Sequence, residues 1–573
     1  MALRWKILAL GASGMVVVGQ SSVSAVDPPW IARGAQGMVA TDSEHASGAG
    51  LEILQAGGNA IDAATAVSFS LAVTRGHRTG VGGGGFLIAR FTDGRVVCQD
   101  FRETAPAAAT ADMYQKAAAA NPQGPSPSEF GYLAVAVPGL AAGRCQALAQ
   151  HGTMPLDRVL APALRLAEKG FPVDEAYAAA TREVLDTYEA HPKLRESCGY
   201  VWQVHLNEGR LRVAGDRLVQ PELAKFFKAL AAEGVDFFYR GAFADALAET
   251  MSRRGGIITK RDLADYAPKL REPLRSKYRD FELILMPPPS SGGIALTEAL
   301  NVLEILDHHG VAARDAALAL HDRIEAMKHV MADRAEFLGD ADFVPVPVQR
   351  LTSKEFAKGL SAMIQADRVS LPREYGSLGM PKDAGTSHFC VVDRWGNVVV
   401  STETINTTFG SLAAVDEWGV ILNNEMDDFT SEPGKPNAFG LVQSSANAVA
   451  PGKKPLSSMS PTIVLRGDEP YLLIGSAGGP RIITSVLNVM LGLLDEGLSV
   501  EDAMQRIRPH HQWQPEELFF DRPPPADVAE ALQGRGHKIS QKRRSGTVQL
   551  ILRNGKEWIG ASDPRGGGKP AGE

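Results

Sequence analysis

The sequence predicts a layered α+β protein, with helices dominating the first two-thirds of the chain and strands mixed with helices in the last third. Apolar residues recur at helical spacing before residue 386, whereas β-rich runs joined by turn signals follow it. The chain has 573 residues, 44% of them hydrophobic and 22% charged, which is enough for more than one core. This mixture favours one layered body over separate domains.

Three helices are predicted before residue 386. Asp42-Ser43 opens a helical pattern that ends at Gly57-Gly58, with residues typical of helix starts and stops. An alanine-rich run at residues 60–73 predicts the second helix. The third is predicted by apolar residues at spacings of 3, 4, 4 and 3, which indicate a core-facing helix. These are Ile324, Met327, Met331, Ala335 and Leu338, with Lys328, Asp333 and Arg334 on the other face.

Two hairpins and a helix are predicted after residue 386. Residues 388–393 and 397–402 are β-rich and flank a turn, and residues 461–465 and 471–475 form a similar pair. Residues 480–494 then predict a helix. Between the two regions, residues 366–385 are rich in glycine and proline, which indicates a surface segment of the kind that is readily cut.

The N-terminus predicts a secretory signal peptide at residues 1–25. Arg4 and Lys6 precede an uncharged run at residues 7–19, and Val23-Ser24-Ala25 supplies small residues for cleavage. The apolar part is short and rich in Gly and Ser for a membrane span, although a retained signal anchor stays as the alternative. We therefore expect a periplasmic or secreted protein.

The net charge and the spacing of the histidines argue against nucleic acid and metal ions as partners. The net charge of −7, from 59 basic and 66 acidic residues, gives no basic footprint, so no nucleic acid is expected. The 13 histidines show no metal-binding spacing, and no metal is predicted. The pairs His308-His309 and His510-His511 are expected to be solvated or loosely packed.

The four cysteines do not predict a disulfide framework. Cys98 and Cys390 lie in apolar, strand-like runs and are expected to be buried thiols. Cys145 and Cys198 could pair, and the sequence does not decide this.

Residues 80–85 match the G-x-G-x-x-G pattern of dinucleotide loops, but the context is wrong. That loop follows a strand and opens a helix. Here a helical run precedes it, and residues 86–91 predict a strand. The glycines therefore predict a loop in which backbones approach closely, and no cofactor.

Residues 383–389 read D-A-G-T-S-H-F, with Thr386 just ahead of a strand. A cut before Thr386 would give its hydroxyl an adjacent α-amino base, and such amines have pKa values near 8. By itself the pattern is more typical of a turn. Ser387 and Cys390 remain alternative nucleophiles on this evidence.

Further polar groups could complete a site. Residues 423–429 gather three acids and two amides, a solvated turn or a clamp for an ammonium group. Arg102 follows a strand and could hold a carboxylate, or form a surface ion pair. Gly478 and Gly479 precede a helix, where free N–H groups stabilise an oxyanion. Residues 457–460 place serines on a loop.

Together these motifs resemble the γ-glutamyltranspeptidases, a family of N-terminal-nucleophile hydrolases. The resemblance runs from about residue 36 to Arg565. The motifs that carry it lie at residues 52–64, 82–86, 100–103, 136–139, 289–293, 325–334, 385–388, 404–410, 423–429, 455–462 and 478–480.

The resemblance implies a four-layer αββα sandwich and a precursor that cuts itself between Gly385 and Thr386. The products would be a large, mostly helical subunit of residues 26–385 and a small catalytic subunit of residues 386–573, associated as a heterodimer. Thr386 is expected to attack the γ-glutamyl amide of glutathione or a related donor. Water or an amino acid or peptide acceptor then resolves the acyl-enzyme, with no cofactor.

The resemblance also implies residue roles. Thr404 is expected to hydrogen-bond the nucleophile, and the amides of Gly478 and Gly479 to form the oxyanion hole. Other matched residues hold the two ends of the glutamyl head. On its α-carboxylate we expect Arg102, Ser457 and Ser458, and on its α-amino group Asn406, Glu425 and Asp428.

Three alternatives remain. A cephalosporin or glutaryl acylase, or a poly-γ-glutamate depolymerase, could use the same scaffold, although a glutaryl group has no ammonium for Glu425 and Asp428. A non-catalytic exported binding protein is disfavoured by the retained Thr386 and Thr404.

Phe439 stands in a lid-like segment where well-known members of the family carry a tyrosine, which leaves the balance of hydrolysis and transfer open.

Overall fold

In the computed structural model, the described residues are 27–370, 385–430, 444–543 and 545–573. The predicted signal peptide, Phe439 and most of the predicted surface segment lie outside them. Within these ranges, we find no helix with the length and apolar character required to traverse a bilayer.

Helices occupy much of the chain before residue 362 and recur after residue 480. Their bounds are α1 Glu44–Gln55, α2 Ala60–Thr74, α3 Met113–Ala120, α4 Leu140–His151, α5 Leu156–Lys169, α6 Glu175–Ala190, α7 Leu194–Ser197, α8 Pro221–Glu233, α9 Val235–Tyr239, α10 Ala242–Arg254, α11 Lys260–Asp265, α12 Gly292–Ile305, α13 His308–Arg314, α14 Ala316–Phe337, α15 Val348–Leu351, α16 Lys354–Ser361, α17 Arg481–Leu494, α18 Val500–Gln505 and α19 Ala526–Gly534.

Strands come from both halves of the chain. Their bounds are β1 Ile31–Gly34, β2 Met38–Thr41, β3 Gly84–Arg90, β4 Val96–Asp100, β5 Phe171–Pro172, β6 Arg217–Leu218, β7 Lys269–Leu270, β8 Leu274–Tyr278, β9 Phe281–Leu285, β10 Ser387–Val392, β11 Val398–Thr404, β12 Ala414–Val415, β13 Val420–Ile421, β14 Thr462–Arg466, β15 Glu469–Ala477, β16 Pro509–His510, β17 Leu518–Phe520, β18 Ile539–Arg543, β19 Thr547–Asn554, β20 Glu557–Ser562 and β21 Ala571–Gly572.

Two stacked sheets form the centre of the fold. Within the described ranges each has seven strands, in the orders β1-β20-β19-β15-β14-β9-β8 and β21-β2-β10-β11-β3-β4-β7. Because strand side chains alternate between faces, β10 turns Cys390 and Val392 into the layer between the sheets and Phe389 and Val391 toward the helices. One helical layer, including α1, α2 and α5, covers the second sheet, and α12, α14 and α17 cover the first. The predicted four-layer αββα sandwich is confirmed.

Both sheets mix strands from before and after Thr386. In the second sheet, β10 pairs with β2 on one side and with β11 on the other, and β11 pairs with β3. In the first sheet, β14 pairs with β9 and β20 with β1. The segments on either side of the predicted cut are therefore joined by several antiparallel ladders.

Most of the predicted elements are confirmed to within two residues at their ends. The first helix begins after Ser43, whose hydroxyl accepts a hydrogen bond from the amide of Ala46 and caps the helix. The predicted long helix is α14, which starts eight residues before Ile324. Its polar face is also buried, because Lys328 and Arg334 are 1% and 2% exposed.

The predictions for histidines and cysteines had mixed outcomes. The prediction of solvated or loosely packed histidine pairs is confirmed for His309, which is exposed. It is wrong for the other three: His308 is buried against Asp495 at 3.1 Å, and His510 and His511 are also buried. Cys98 and Cys390 are buried thiols, as expected, and the open question of a Cys145–Cys198 pair is answered because both are free thiols.

Candidate active site

Thr386 lies immediately before β10, at one end of the second sheet. The antiparallel register sets Ser387 opposite Glu403, so that Thr404, the last residue of β11, lies next to Thr386. The two hydroxyl oxygens are 3.3 Å apart. The chain is continuous through Gly385, whose carbonyl oxygen lies 2.8 Å from the Thr386 hydroxyl and 2.9 Å from that of Thr404.

A short hydrogen-bond relay ends on the Gly385 carbonyl. The amide of Asn406 donates to the Thr404 hydroxyl at 2.7 Å, which leaves that hydroxyl free to donate to the carbonyl of Gly385. Asn406 has a φ of +78°, a region that asparagine tolerates better than most residues. A carbonyl polarised in this way is more easily attacked by a neighbouring hydroxyl.

The glycine-rich loop supports the end of β11. A Cβ on Gly83 would lie 2.0 Å from the carbonyl oxygen of Thr404, and one on Gly82 would lie 2.1 Å from that of Ile421. No side chain fits there, so the predicted close approach of backbones is confirmed. The loop fixes the position of Thr404.

Gly478 and Gly479 form the turn between β15 and α17. Their φ angles are +124° and +57°, conformations in which glycine is favoured. A Cβ on Gly478 would also lie 2.9 Å from the Cα of Gly546. Gly479 lines the same cavity as Thr386, and Gly478 lines the cleft outside it. The turn therefore brings the start of a helix to the nucleophile.

Thr386 separates an inner cavity from an outer cleft. The outer cleft holds about 740 Å³, and its lining includes Gly385, Arg78 and Glu183. The inner cavity has only about 20 Å³ of free space, room for about one water molecule. It is lined by Arg102, Arg334, Thr386, Thr404, Asn406, Asp428, Ser457, Ser458, Met459, Gly479, Pro480 and Ile482.

The inner cavity is filled by an ion-pair cluster centred on Arg102. The guanidinium lies 2.5 Å from a carboxylate oxygen of Glu425 and 2.5 Å from one of Asp428. Glu103 is a third carboxylate, at 3.7 Å. Arg102, Glu103 and Glu425 are at most 1% exposed. The alternative of a surface ion pair is therefore wrong for Arg102.

Burial and charge act in opposite directions on these groups. Burial disfavours the charged form of Arg102, but the carboxylates beside it, Glu425 foremost, raise its pKa above the usual value. Burial raises the pKa of Glu103 to about 7, although Arg102 opposes this shift. Burial also raises the pKa values of Glu425 and Asp428. Burial therefore favours the protonated forms of these carboxyls, and Arg102 opposes that shift in each of them.

A second loop brings the predicted serines to the cavity. The hydroxyl of Ser291 donates to the carbonyl of Ser457 at 2.7 Å, and that of Ser290 donates to the carbonyl of Met459 at 2.5 Å. The guanidinium of Arg334 donates to the Ser291 hydroxyl at 2.9 Å. The motif at residues 289–293 is therefore a support for the serine loop.

The alternative nucleophiles lie away from the site. The Ser387 hydroxyl is buried and donates to Asp42 at 3.2 Å. Cys390 is buried between the sheets, and burial raises the pKa of its thiol well above the usual value. Neither lines the cavity or the cleft. The geometry favours Thr386.

The structure brings all the predicted site residues to one place. Thr386, Thr404, Asn406, Arg102, Asp428, Ser457, Ser458 and Gly479 line the inner cavity, Gly385 and Gly478 line the outer cleft, and Glu425 contacts Arg102. The sequence interpretation gave no role to Arg334 or Glu103. Both residues lie in motifs that carry the family resemblance, at residues 325–334 and 100–103, and this could have pointed to a role in the site.

Comparisons with known proteins show the family of this chain. The model of the gamma-glutamyltranspeptidase family matches residues 46–573. The chain belongs to this family. It is 43% identical over 540 residues to the glutathione hydrolase proenzyme of Escherichia coli K12, covering 93% of this chain and 91% of that protein.

Acylases are also similar to this gamma-glutamyltranspeptidase family member. It is 38% identical to the acylase ACY 1 proenzyme of Pseudomonas sp. SE83, covering 91% of each chain. The cephalosporin acylase of Bacillus halodurans superposes with a TM-score of 0.84 at 27% identity, covering 97% of this chain and 99% of that structure. The similar proteins therefore carry two kinds of named activity.

Proposed function

We propose that this protein is an exported, self-processing γ-glutamyltranspeptidase and glutathione hydrolase. Thr386 is the nucleophile and attacks the γ-carbonyl of a γ-glutamyl amide. Water or the amine of an amino acid or peptide then resolves the acyl-enzyme. Family membership and the proenzyme names of its relatives support this activity.

The observation that carries the proposal is the ion pair between Arg102 and the carboxylates of Glu425 and Asp428 beside Thr386. A glutamyl head is a zwitterion at its α-carbon. Its carboxylate can take the place of the acids on Arg102, while its ammonium group binds those acids. Each buried charge then keeps a partner. The small free volume requires Arg102 to separate from the acids as the head enters.

The same reasoning disfavours a glutaryl substrate. A glutaryl group carries a carboxylate for Arg102 but no ammonium for Glu425 and Asp428. Leaving buried acids without a partner costs about 3–5 kcal/mol, which corresponds to a loss of affinity between about a hundredfold and several thousandfold. The acylase activity is the second candidate, because acylases are among the similar proteins. It requires a substrate that neutralises these acids in another way.

Self-processing begins at the Gly385 carbonyl. The Thr386 hydroxyl adds to the carbonyl carbon while Thr404 donates to its oxygen, the C–N bond breaks, and an ester links Gly385 to the Thr386 oxygen. Water hydrolyses that ester, which releases the Gly385 carboxylate and the α-amine of Thr386. The distances of 2.8 and 2.9 Å to the Gly385 oxygen support this route.

The catalytic cycle uses the new amine as a base. It takes the hydroxyl proton of Thr386 as the oxygen attacks the γ-carbonyl, and the amides of Gly478 and Gly479 stabilise the oxyanion. Collapse of the intermediate expels the leaving amine, which receives the proton. Water or an acceptor amine repeats the sequence in reverse on the ester.

We further propose the predicted division of the chain. Residues 1–25 direct export, residues 26–385 form the large subunit and residues 386–573 form the small subunit. The ladders β10–β2, β11–β3 and β14–β9 support continued association after the cut.

The processing test compares the purified wild type with Thr386→Ala on a denaturing gel. The wild type is expected to give bands of about 38 and 20 kDa, in proportion to the 61.1 kDa of the 573-residue chain. Thr386→Ala is expected to stay as one band and to release no anilide from a γ-glutamyl anilide. Ser387→Ala is the matched control, and we expect it to process. A wild type that remains one chain would contradict the mechanism.

The substrate test compares glutathione with a glutaryl amide of the same leaving group. We expect kcat/KM to favour glutathione by at least about a hundredfold, from the cost of unpaired buried acids. A preference for the glutaryl amide would favour the acylase function. A dipeptide acceptor is added in a parallel series to measure transfer.

A further inference from the structure

Buried metal-ligand side chains cluster away from the active site. His321 and Glu325 lie one turn apart on α14, and His537 follows α19. One ligand atom from each lies within 4.8 Å of the others, and all three side chains are at most 5% exposed. His321 precedes Arg334 by 13 positions on α14, about 20 Å along a helix. The proposed mechanism uses none of the three.

Hydrogen bonds orient His321 as a ligand. Its Nε2 lies 2.8 Å from the carbonyl oxygen of Gln365, so Nε2 carries the proton. Nδ1 therefore presents a lone pair, which faces Nε2 of His537 at 2.8 Å. A ring nitrogen fixed through a backbone carbonyl on the other nitrogen is the usual arrangement of metal-bound histidine. His537 needs only a change of tautomer to present its own lone pair.

Glu325 supplies a fixed anionic oxygen. Its two carboxylate oxygens accept from the ammonium of Lys328 at 2.9 Å and from the amide of Ser370 at 2.8 Å. The Lys328 ammonium also donates to the carbonyl of Ser370 at 2.6 Å. A carboxylate oxygen can contact a cation and a hydrogen-bond donor at the same time, so Glu325 can bind a cation alongside these donors. Lys328 competes with that cation.

We propose that His321 Nδ1, His537 Nε2 and a carboxylate oxygen of Glu325 form a binding site for a divalent ion of the zinc type. Two imidazoles and one carboxylate suit Zn²⁺. Zinc–nitrogen bonds of about 2.0–2.1 Å at a tetrahedral angle separate two ligand nitrogens by about 3.4 Å. The two rings must therefore move apart by about half an ångström.

The site would join the two products of processing. His321 and Glu325 precede the proposed cut at Gly385, and His537 follows it, so the bound ion would link the large and small subunits. This consequence rests on the proposed self-cleavage, but the binding of the ion does not. Glu325 also contacts the backbone of Ser370, 15 residues before Gly385. The ion would thus stabilise the interface near the start of the segment that leads to the cut.

The test measures zinc binding to untagged, chelator-treated protein by equilibrium dialysis, with Co²⁺ as a spectroscopic probe. We expect one equivalent of Zn²⁺ and the visible absorption of tetrahedral cobalt. His537→Gln should weaken binding by more than the roughly 10- to 100-fold that loss of an outer partner costs. The half-buried His191, which lies outside the cluster, gives the control variant His191→Gln, and this should bind as the wild type does.

Two further variants distinguish a metal site from a buried cluster that only supports the fold. Lys328→Gln removes the competing ammonium and should tighten binding by about tenfold, which a merely structural role would not produce. The uncut Thr386→Ala protein should bind one equivalent as well. Zinc binding can therefore be tested even if the proposed processing fails. Equal zinc binding by the wild type and His537→Gln, or no stoichiometric binding by the wild type, would overturn the proposal.

Discussion

Arg102→Lys tests the proposed binding of the substrate α-carboxylate most directly. In the structure, two nitrogens of the guanidinium contact two different acids at 2.5 Å each, and Nε donates to the carbonyl of Pro455 at 3.3 Å. Lysine keeps the charge but cannot offer two parallel donors to one carboxylate. The loss of one charge-assisted hydrogen bond costs about 1.5–3 kcal/mol. This corresponds to a decrease of about 10- to 100-fold in kcat/KM.

The assay compares a γ-glutamyl anilide with its α-carboxamide analogue, which has no carboxylate for Arg102. Arg102→Lys should lose activity on the first substrate and change little on the second. Arg271→Lys is the control, because Arg271 holds Asp100 at 2.8 Å but does not line the cavity. Processing should continue in both variants. Equal losses on the two substrates, or no loss on the first, would refute the assignment.

Three further predictions follow from the packing around the site. Gly83→Ala should lower kcat and slow processing, as followed by anilide release and gel bands, because its Cβ would displace the Thr404 carbonyl. Glu103→Gln should remove a pH-dependent loss of stability. The pKa of Glu103 is raised to about 7 from 4.5, so the wild type should lose stability relative to the variant as pH rises through that window in thermal melts. Arg144→Met should cost about 3–5 kcal/mol in denaturant unfolding, because it leaves the buried Glu403 without its ion pair, and adding Glu403→Gln should recover most of it.

Local elements of the fold could be predicted because their signals are local. The hairpin of β10 and β11 has turn residues between two β-rich runs, and the cap at Ser43 precedes a helical pattern. The order of strands in the sheets depends on contacts between distant segments, such as β1 with β20. The resemblance implied only the four-layer arrangement, and the strand order could not be worked out from periodicity.

The missed residues share a physical cause. The amphipathic pattern placed Arg334 on the face of the helix opposite the apolar residues, and it identified no partner for that face. In this four-layer body both faces of α14 are covered, and Arg334 reaches the serine loop through Ser291. The burial of His308 was missed because its partner, Asp495, is 187 positions away in the sequence. The ligands His321 and His537 are separated by 216 positions, which no spacing motif describes.

The position of the proposed cut explains how cleavage can free the α-amine of Thr386 while the residue stays in the active site. The new chain start would be Thr386, and the next residue already belongs to β10. That strand pairs with β2 from the large subunit through Phe389 opposite Thr41, and with β11 through Ser387 opposite Glu403. Hydrolysis removes only the bond to Gly385 and leaves both ladders intact. The new amine therefore appears beside the Thr386 hydroxyl, at a position that the sheet had fixed before the bond was broken.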